Sequence, residues 1–239
     1  MDPIIFEMKG PVGCITLNRP NKYNSFTREL ALQFQEALKK CRDEAVVRAI
    51  LITGAGKAFC AGQDLGEVTA EEGPSLSTIL SEHLNPIIRL IREIEKPIVA
   101  AVNGVAAGAV SNVALACDIT VAAPDANFIQ AFSKIGLIPD SGGTFFLPRL
   151  VGPQRAAAYM MLGEKVSAQE AVSVGMIYKI LTEDDFDAAA YAFTERLAQM
   201  PTRGLGLTKR ALNQALTNAL DRQLAVAFLE KRKPVFKGE

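Results

Sequence analysis

Two stretches of this chain end an apolar run in a glycine turn, and each could aim bare backbone N–H groups at a ligand. One is Gly62-Gln63-Asp64, reached through Ala58-Phe59-Cys60-Ala61. The other is Gly108-Ala109-Val110, which opens a helical pattern in which Ala109, Val113 and Ala116 share one face and Val110, Ala114 and Cys117 another. A helix that is small and apolar on every face is buried. Its first N–H groups lack internal partners, and the macrodipole adds positive potential there. Two such donors converging on one oxygen would form an oxyanion hole, worth about 3 kcal/mol apiece in a transition state. Turns built for close packing alone would carry the same glycines. A third candidate is Asp140, in Pro139-Asp140-Ser141-Gly142-Gly143, with Phe128, Phe132, Phe145 and Phe146 nearby in sequence. An apolar pocket would raise its pKa and strengthen it as a base. An aspartate after proline also suits a turn or the cap of a helix beginning near Thr144.

Composition narrows what these residues could serve. The 239 residues are 49% hydrophobic and 22% charged, enough for one large domain with a sizeable core. Lys+Arg and Asp+Glu balance at 26 each, and no polybasic run stands out, so neither nucleic acid nor a membrane is an expected partner. Met-Asp-Pro at the N-terminus resembles no signal peptide, and no uncharged apolar run reaches membrane-spanning length. Cys14, Cys41, Cys60 and Cys117 are scattered, without a CxxC or a cysteine–histidine cluster. They read as reduced core thiols of a cytoplasmic protein, with no metal. The only histidine, His83, has no nucleophile at useful spacing and is expected at a surface or interface.

The elements that must position these groups follow from periodicity. Strands are expected over Ile4 to Met8 and Val12 to Asn18, then an amphipathic helix from Thr27 to Arg42. Buried strands follow at Val46 to Thr53 and Ile98 to Val102, separated by a polar loop, Glu67 to Ser77, and a helix, Ile79 to Ile94. Short strands at Ile119 to Ala123 and Asn127 to Gln130 precede a helical remainder, ending in an amphipathic helix over Thr208 to Leu220. The fold class is α/β, with recurring strand–strand–helix units and helices packed outside.

Four motifs carry a resemblance: Asn18-Arg19-Pro20-Asn21-Lys22-Tyr23-Asn24-Ser25, Lys57-Ala58-Phe59-Cys60-Ala61-Gly62-Gln63-Asp64-Leu65, Ala101-Val102-Asn103-Gly104-Val105-Ala106-Ala107-Gly108, and Leu115-Ala116-Cys117-Asp118-Ile119. Together, in this order from Ile4 to about Leu220, they resemble the crotonase (enoyl-CoA hydratase/isomerase) superfamily. The resemblance implies a spiral of ββα units binding an acyl-CoA thioester. It assigns the oxyanion hole to the N–H groups of Gln63 and Ala109, the latter standing where many members have glycine. It sets Lys22, Ala61, Asp64, Leu65 and Phe132 against the substrate or its CoA portion, with Arg19 a further cation near the CoA phosphates. It implies a core domain over 1–195 and a helical oligomerisation or lid region over 196–239, which is shortened after Leu224 relative to the family. No cofactor beyond the CoA of the substrate is implied, and the expected assembly is a homotrimer or a dimer of trimers.

Hydratases of this superfamily carry two glutamates where this sequence has Asn112 and Phe132. Without a paired acid and base, addition of water should be slow. The run from Phe128 to Gly143 resembles the ring-epoxide isomerase branch of phenylacetate breakdown, in which an aspartate at the position of Asp140 is the acid/base. The expected activity is therefore isomerisation of an aromatic-derived or unsaturated acyl-CoA. The alternatives are a Δ3,Δ2-enoyl-CoA isomerase, an enoyl-CoA hydratase, and a non-catalytic acyl-CoA- or RNA-binding member; zero net charge speaks against RNA.

Overall fold

The computed structural model describes residues 2–70, 73–215, 217–220 and 222–223. The chain opens with β1 (Ile4–Lys9) and β2 (Val12–Leu17), an antiparallel hairpin around Gly10, followed by α1 (Arg28–Asp43). Thr27 caps α1 by accepting the Leu30 N–H, and Leu30, Phe34, Leu38 and Cys41 bury one face of it. Next come β3 (Ala49–Gly54), β4 (Ala58–Cys60), α2 (Leu65–Val68) and α3 (Leu76–Thr78). A π-helical turn, Ile79–Leu84, leads into α4 (Asn85–Glu93). Then β5 (Ile98–Val102) and β6 (Val105–Ala107) precede α5 (Ala109–Ala116), and β7 (Ile119–Ala122) and β8 (Asn127–Ile129) complete the strand pairs. The rest comprises α6 (Gly143–Val151), α7 (Pro153–Leu162), β9 (Lys165–Ser167), α8 (Ala168–Ser173), β10 (Lys179–Ile180), α9 (Phe186–Ala198) and α10 (Thr202–Ala215).

Two sheets run through the molecule. The larger has the order β1-β2-β3-β5-β7-β10 and is parallel from β2 onward. The smaller has the order β4-β6-β8-β9, with β4, β6 and β8 parallel. Each pair β3/β4, β5/β6 and β7/β8 therefore gives its first strand to one sheet and its second to the other. This is the spiral expected for recurring strand–strand–helix units. Strands β2, β3 and β5 are buried almost throughout, as expected for a parallel sheet covered on both faces. Helix α5 is buried on every residue, between the sheets and α6.

Several expectations need correction. His83 is 1% exposed, not a surface residue: it shares the buried face of Ile79, Ile87 and Leu90, and its carbonyl accepts from the Gln35 amide of α1. Helix α2 starts before the expected loop and takes in its first two residues, Glu67 and Val68, with Asp64 accepting the Gly66 N–H as a cap. Helix α10 begins at Thr202, ahead of the expected Thr208; Gly206 is tolerated in it because a Cβ there would collide with the Glu95 backbone. The antiparallel partner of β8, strand β9, had no periodic signal in its three residues. The expected shortened region after Leu224 lies outside the described residues.

A half-buried charge cluster ties these layers together. The Asp118 carboxylate accepts the Ile98 N–H at 2.9 Å, meets Lys209 Nζ at 2.8 Å and Arg92 Nη1 at 3.3 Å. Arg92 also donates to the Ala116 carbonyl at 2.8 Å, where a cation favours the C-terminal dipole of α5. Lys209 is only 6% exposed, so its charge depends on Asp118. Asp118→Ala should strand that ammonium and lower stability by about 3 kcal/mol. Urea unfolding followed by circular dichroism checks this; a loss under 1 kcal/mol would mean the cluster is not a structural clamp.

Candidate active site

The ends of β4, β6 and β8 build the site. Neighbouring strands lie about 4.8 Å apart, so the residues just beyond Cys60, Ala107 and Ile129 emerge side by side. Beyond β4, Phe26 pairs with Gln63: the Phe26 N–H donates to the Gly62 carbonyl and the Asp64 N–H to the Phe26 carbonyl, each at 2.8 Å. Successive N–H groups of an extended chain point to opposite edges, so the Gln63 N–H points away from Phe26, toward the β6 side. Beyond β6, the Gly108 N–H is taken by the Ile129 carbonyl at 2.9 Å. Ala109 is the first residue of α5, so its N–H has no partner within the helix. Two glycines make these turns possible: Gly62 has φ +102° and Gly108 φ +58°, both in the region that disfavours side chains.

Gln63 and Ala109 both line a cavity of about 600 Å³ that also admits Ala61, Leu65, Phe132 and Asp140. Its walls are apolar: Leu76 from α3, Ile79, Leu80 and Leu84 from the π turn, and Ile135 and Leu137 from the loop after β8. The Asn85 N–H donates to the Leu80 carbonyl five residues back, the hydrogen bonding of a π turn. The apolar recurrence Ile79, Leu80 and Leu84 marks a buried helical face, and the sequence carries no signal that this face lines the cavity. Among the described residues, Asp140 is the only carboxylate lining this cavity.

Burial pushes the Asp140 carboxyl above the ordinary aspartate range, and the Ser141 hydroxyl, 3.0 Å from its Oδ1, partly offsets this. The loop holding it is tightly wound: Ser141 has φ +49° and Gly142 φ +74°, and a Cβ on Gly142 would lie 2.7 Å from the Phe146 ring. The Asp140 carbonyl accepts the Gly143 N–H at 2.8 Å and the Asn112 Nδ2 amide at 2.9 Å.

The remaining candidates stand elsewhere. Asp64 does not line the cavity; its carboxylate is held by Arg19 at 2.9 Å and by the Ser25 hydroxyl at 3.1 Å. Burial works to raise its pKa, but Arg19 and Ser25 outweigh that and leave it below the usual range. Arg19 is accordingly part of a structural clamp through its Nη1. Lys22 is exposed in the short 3₁₀ turn Pro20–Lys22, away from the cavity lining. Glu67 is taken up by the Arg28 N–H at 3.0 Å and the Gln63 side-chain amide at 3.2 Å. Among the described residues, no cluster of three acidic, histidine or cysteine side chains could hold a metal ion, and none of the helices is long and apolar enough to cross a membrane. A second cavity, about 790 Å³, lies against the large sheet and α9, lined by Glu7, Asp125, Glu183, Asp184, Asp185 and Asp187 among others. That acidic wall would repel a phosphate-bearing ligand.

One cavity at the strand ends of a ββα spiral thus brings together the Gln63 and Ala109 turns and a single half-buried carboxylate. The enoyl-CoA hydratase/isomerase family profile matches residues 7–227, and the chain belongs to that family. It is 41% identical over 261 aligned positions to the 1,2-epoxyphenylacetyl-CoA isomerase of Escherichia coli K12, covering all of both chains. It is 34% identical to the 4-chlorobenzoyl coenzyme A dehalogenase-2 of an Arthrobacter species, covering 88% of this chain and 77% of that one. The crystal structure of an enoyl-CoA hydratase from Bacillus anthracis superposes with a TM-score of 0.87 at 30% identity, covering 99% of this chain and 100% of that one.

Because burial raises the Asp140 pKa above its unfolded value, ionised Asp140 costs the fold stability as pH rises through the folded pKa. Below the unfolded value, about 3.8, that cost is absent. Asp140→Asn should therefore melt higher than the parent at about pH 7, with the gain shrinking toward about pH 4. Paired thermal melts at the two pH values check this; a gain independent of pH would contradict it.

Proposed function

We propose that this protein is an acyl-CoA isomerase acting on ring-1,2-epoxyphenylacetyl-CoA or a closely related aromatic-derived thioester. The observation that carries the reading is the meeting, in one apolar cavity, of Asp140 with the backbone donors at Gln63 and Ala109. The Asp140 carboxylate takes a proton from carbon beside the thioester, and the electron pair moves onto the thioester oxygen. The Gln63 and Ala109 N–H groups hold that oxygen, and their fixed dipoles need no reorganisation as charge develops. In the epoxide substrate the ring C–C bond spanned by the epoxide breaks as its electrons join the ring double bonds, giving a seven-membered oxygen ring unsaturated next to the side chain. Asp140, now a carboxylic acid, returns the proton to a ring carbon, so double bonds shift and the product has the composition of the substrate. A desolvated carboxylate with a raised pKa suits both halves of this exchange. Phe132 and the π-turn residues give the acyl group an apolar seat, while Ala61 and Leu65 face the thioester side.

Addition of water is disfavoured in this reading, since it calls for two acid/base groups and, among the described residues, the cavity lining has one carboxylate. The homotrimer or dimer of trimers implied by the family finds support in apolar side chains left exposed on α6 and α7, including Leu150, Met161 and Leu162. Four buried thiols, with Cys41, Cys60 and Cys117 pushed up to about 12 by burial, suit a reducing cytoplasm.

Asp140→Asn preserves shape and removes the base. Turnover should fall by about 10²–10⁴-fold, with the Kd for a non-reactive acyl-CoA changed less than threefold. Steady-state kinetics and calorimetric titration read the two quantities. Undiminished turnover on every accepted substrate would make Asp140 a turn residue and sink the assignment.

A further inference from the structure

Buried beneath the Asp140 loop is a chain of amides that the proposed chemistry leaves unused. Asn112 is fully buried in the first turn of α5, three residues after Ala109. Its Nδ2 donates to the Asp140 carbonyl at 2.9 Å, and its Oδ1 accepts from Gln130 Nε2 at 2.8 Å. Gln130, 4% exposed at the exit of β8, also lies 3.4 Å from the Ser111 hydroxyl. Its donation fixes which end of the Asn112 amide faces the Asp140 carbonyl: with Oδ1 occupied, the NH₂ group is presented to the loop. The fit admits no slack, since a Cβ on Gly143 would run into the Asn112 amide.

We infer that Asn112, oriented by Gln130, is a positioning residue that sets the distance between the proton-transferring carboxylate and the oxyanion donors. The inference rests on the reading of Asp140 as the base. One helix turn carries both the Ala109 N–H and the Asn112 amide, separated by about 4.5 Å of axial rise. The thioester oxygen and the Asp140 loop are thereby referred to the same rigid element, and not to two independently moving loops. Without the Asn112 donor, the Asp140 carbonyl keeps only the Gly143 N–H. The Ser141–Gly142 kink then loses its tether to α5, and misplacement near 1 Å is enough to cost about 10²-fold in rate.

The test compares Asn112→Ala, Asn112→Asp and Gln130→Leu with the parent and with Asp140→Asn in the full chain. Far-UV circular dichroism and thermal melting verify that each variant is folded. Asn112→Ala should lower kcat by about 10–100-fold with KM within threefold. Asn112→Asp is isosteric but ionisable: as a carboxylate it repels the Asp140 carbonyl and places a second negative charge by Asp140, moving the acid limb of the kcat/KM profile to higher pH. Gln130→Leu, which does not touch the cavity and keeps Asn112, should lower kcat about 3–10-fold by freeing the amide to turn over. It also guards against the case in which the Asn112 variants do not fold. Turnover and pH profile within twofold of the parent in the folded variants, while Asp140→Asn is inactive, would overturn this inference alone. Full activity of Asp140→Asn would remove the reading beneath it.

Discussion

The site depends on a spacing that no side chain sets. Parallel strands β4, β6 and β8 lie at the distance their own hydrogen bonds dictate, so whatever follows them must emerge together. The chain places a glycine turn after two of these strands and the Phe132 segment after the third. Main-chain N–H groups are the sturdiest donors available there, because their positions follow from the backbone ladder and not from rotamers. Helix α5 contributes its positive end to the same point, and Arg92 neutralises its negative end at Ala116. The negative end of the dipole is thus offset by Arg92, while the positive end faces the cavity, where an anion would be favoured.

Against this rigid background the carboxylate is the costly component. Burying Asp140 among apolar walls destabilises its ionised form. The structure accommodates this with donors to its backbone carbonyl and one hydroxyl at its side chain, leaving its basicity in place. A stronger set of donors on the carboxylate itself would have stabilised the fold and weakened the base. Asp64 illustrates that alternative: held by Arg19 and Ser25, it caps a helix and is lost to acid/base chemistry.

Much of this was legible in the sequence, for physical reasons. Apolar runs such as Ile98 to Val102 mark buried parallel strands wherever they occur, and the glycines at 62 and 108 mark turns that side chains could not make. The motif resemblance then supplied the family and located the residues that line the cavity: Ala61, Gln63, Leu65, Ala109, Phe132 and Asp140. Charge was read less well. Arg19 and Asp64 are 45 positions apart in the sequence and neutralise one another, which spacing alone cannot show. His83 was misplaced because it was judged by its polarity, whereas Ile79, Ile87 and Leu90, four and seven residues away, put it on the buried face of its helix. Asn112 looked like a missing glutamate; only the fold shows that its amide reaches the Asp140 loop.

The central claim is that one carboxylate and two backbone donors move a proton within an acyl-CoA without adding anything to it. The most direct measurement incubates the purified chain with ring-1,2-epoxyphenylacetyl-CoA and with unsaturated acyl-CoAs, in H₂O and in D₂O, and follows the products by mass spectrometry. The account predicts products of unchanged composition in H₂O and, because Asp140 returns the proton it took inside an apolar cavity, most of that proton kept as protium in the product formed in D₂O. Products heavier by one water as the main outcome, or no conversion of any thioester, would contradict it.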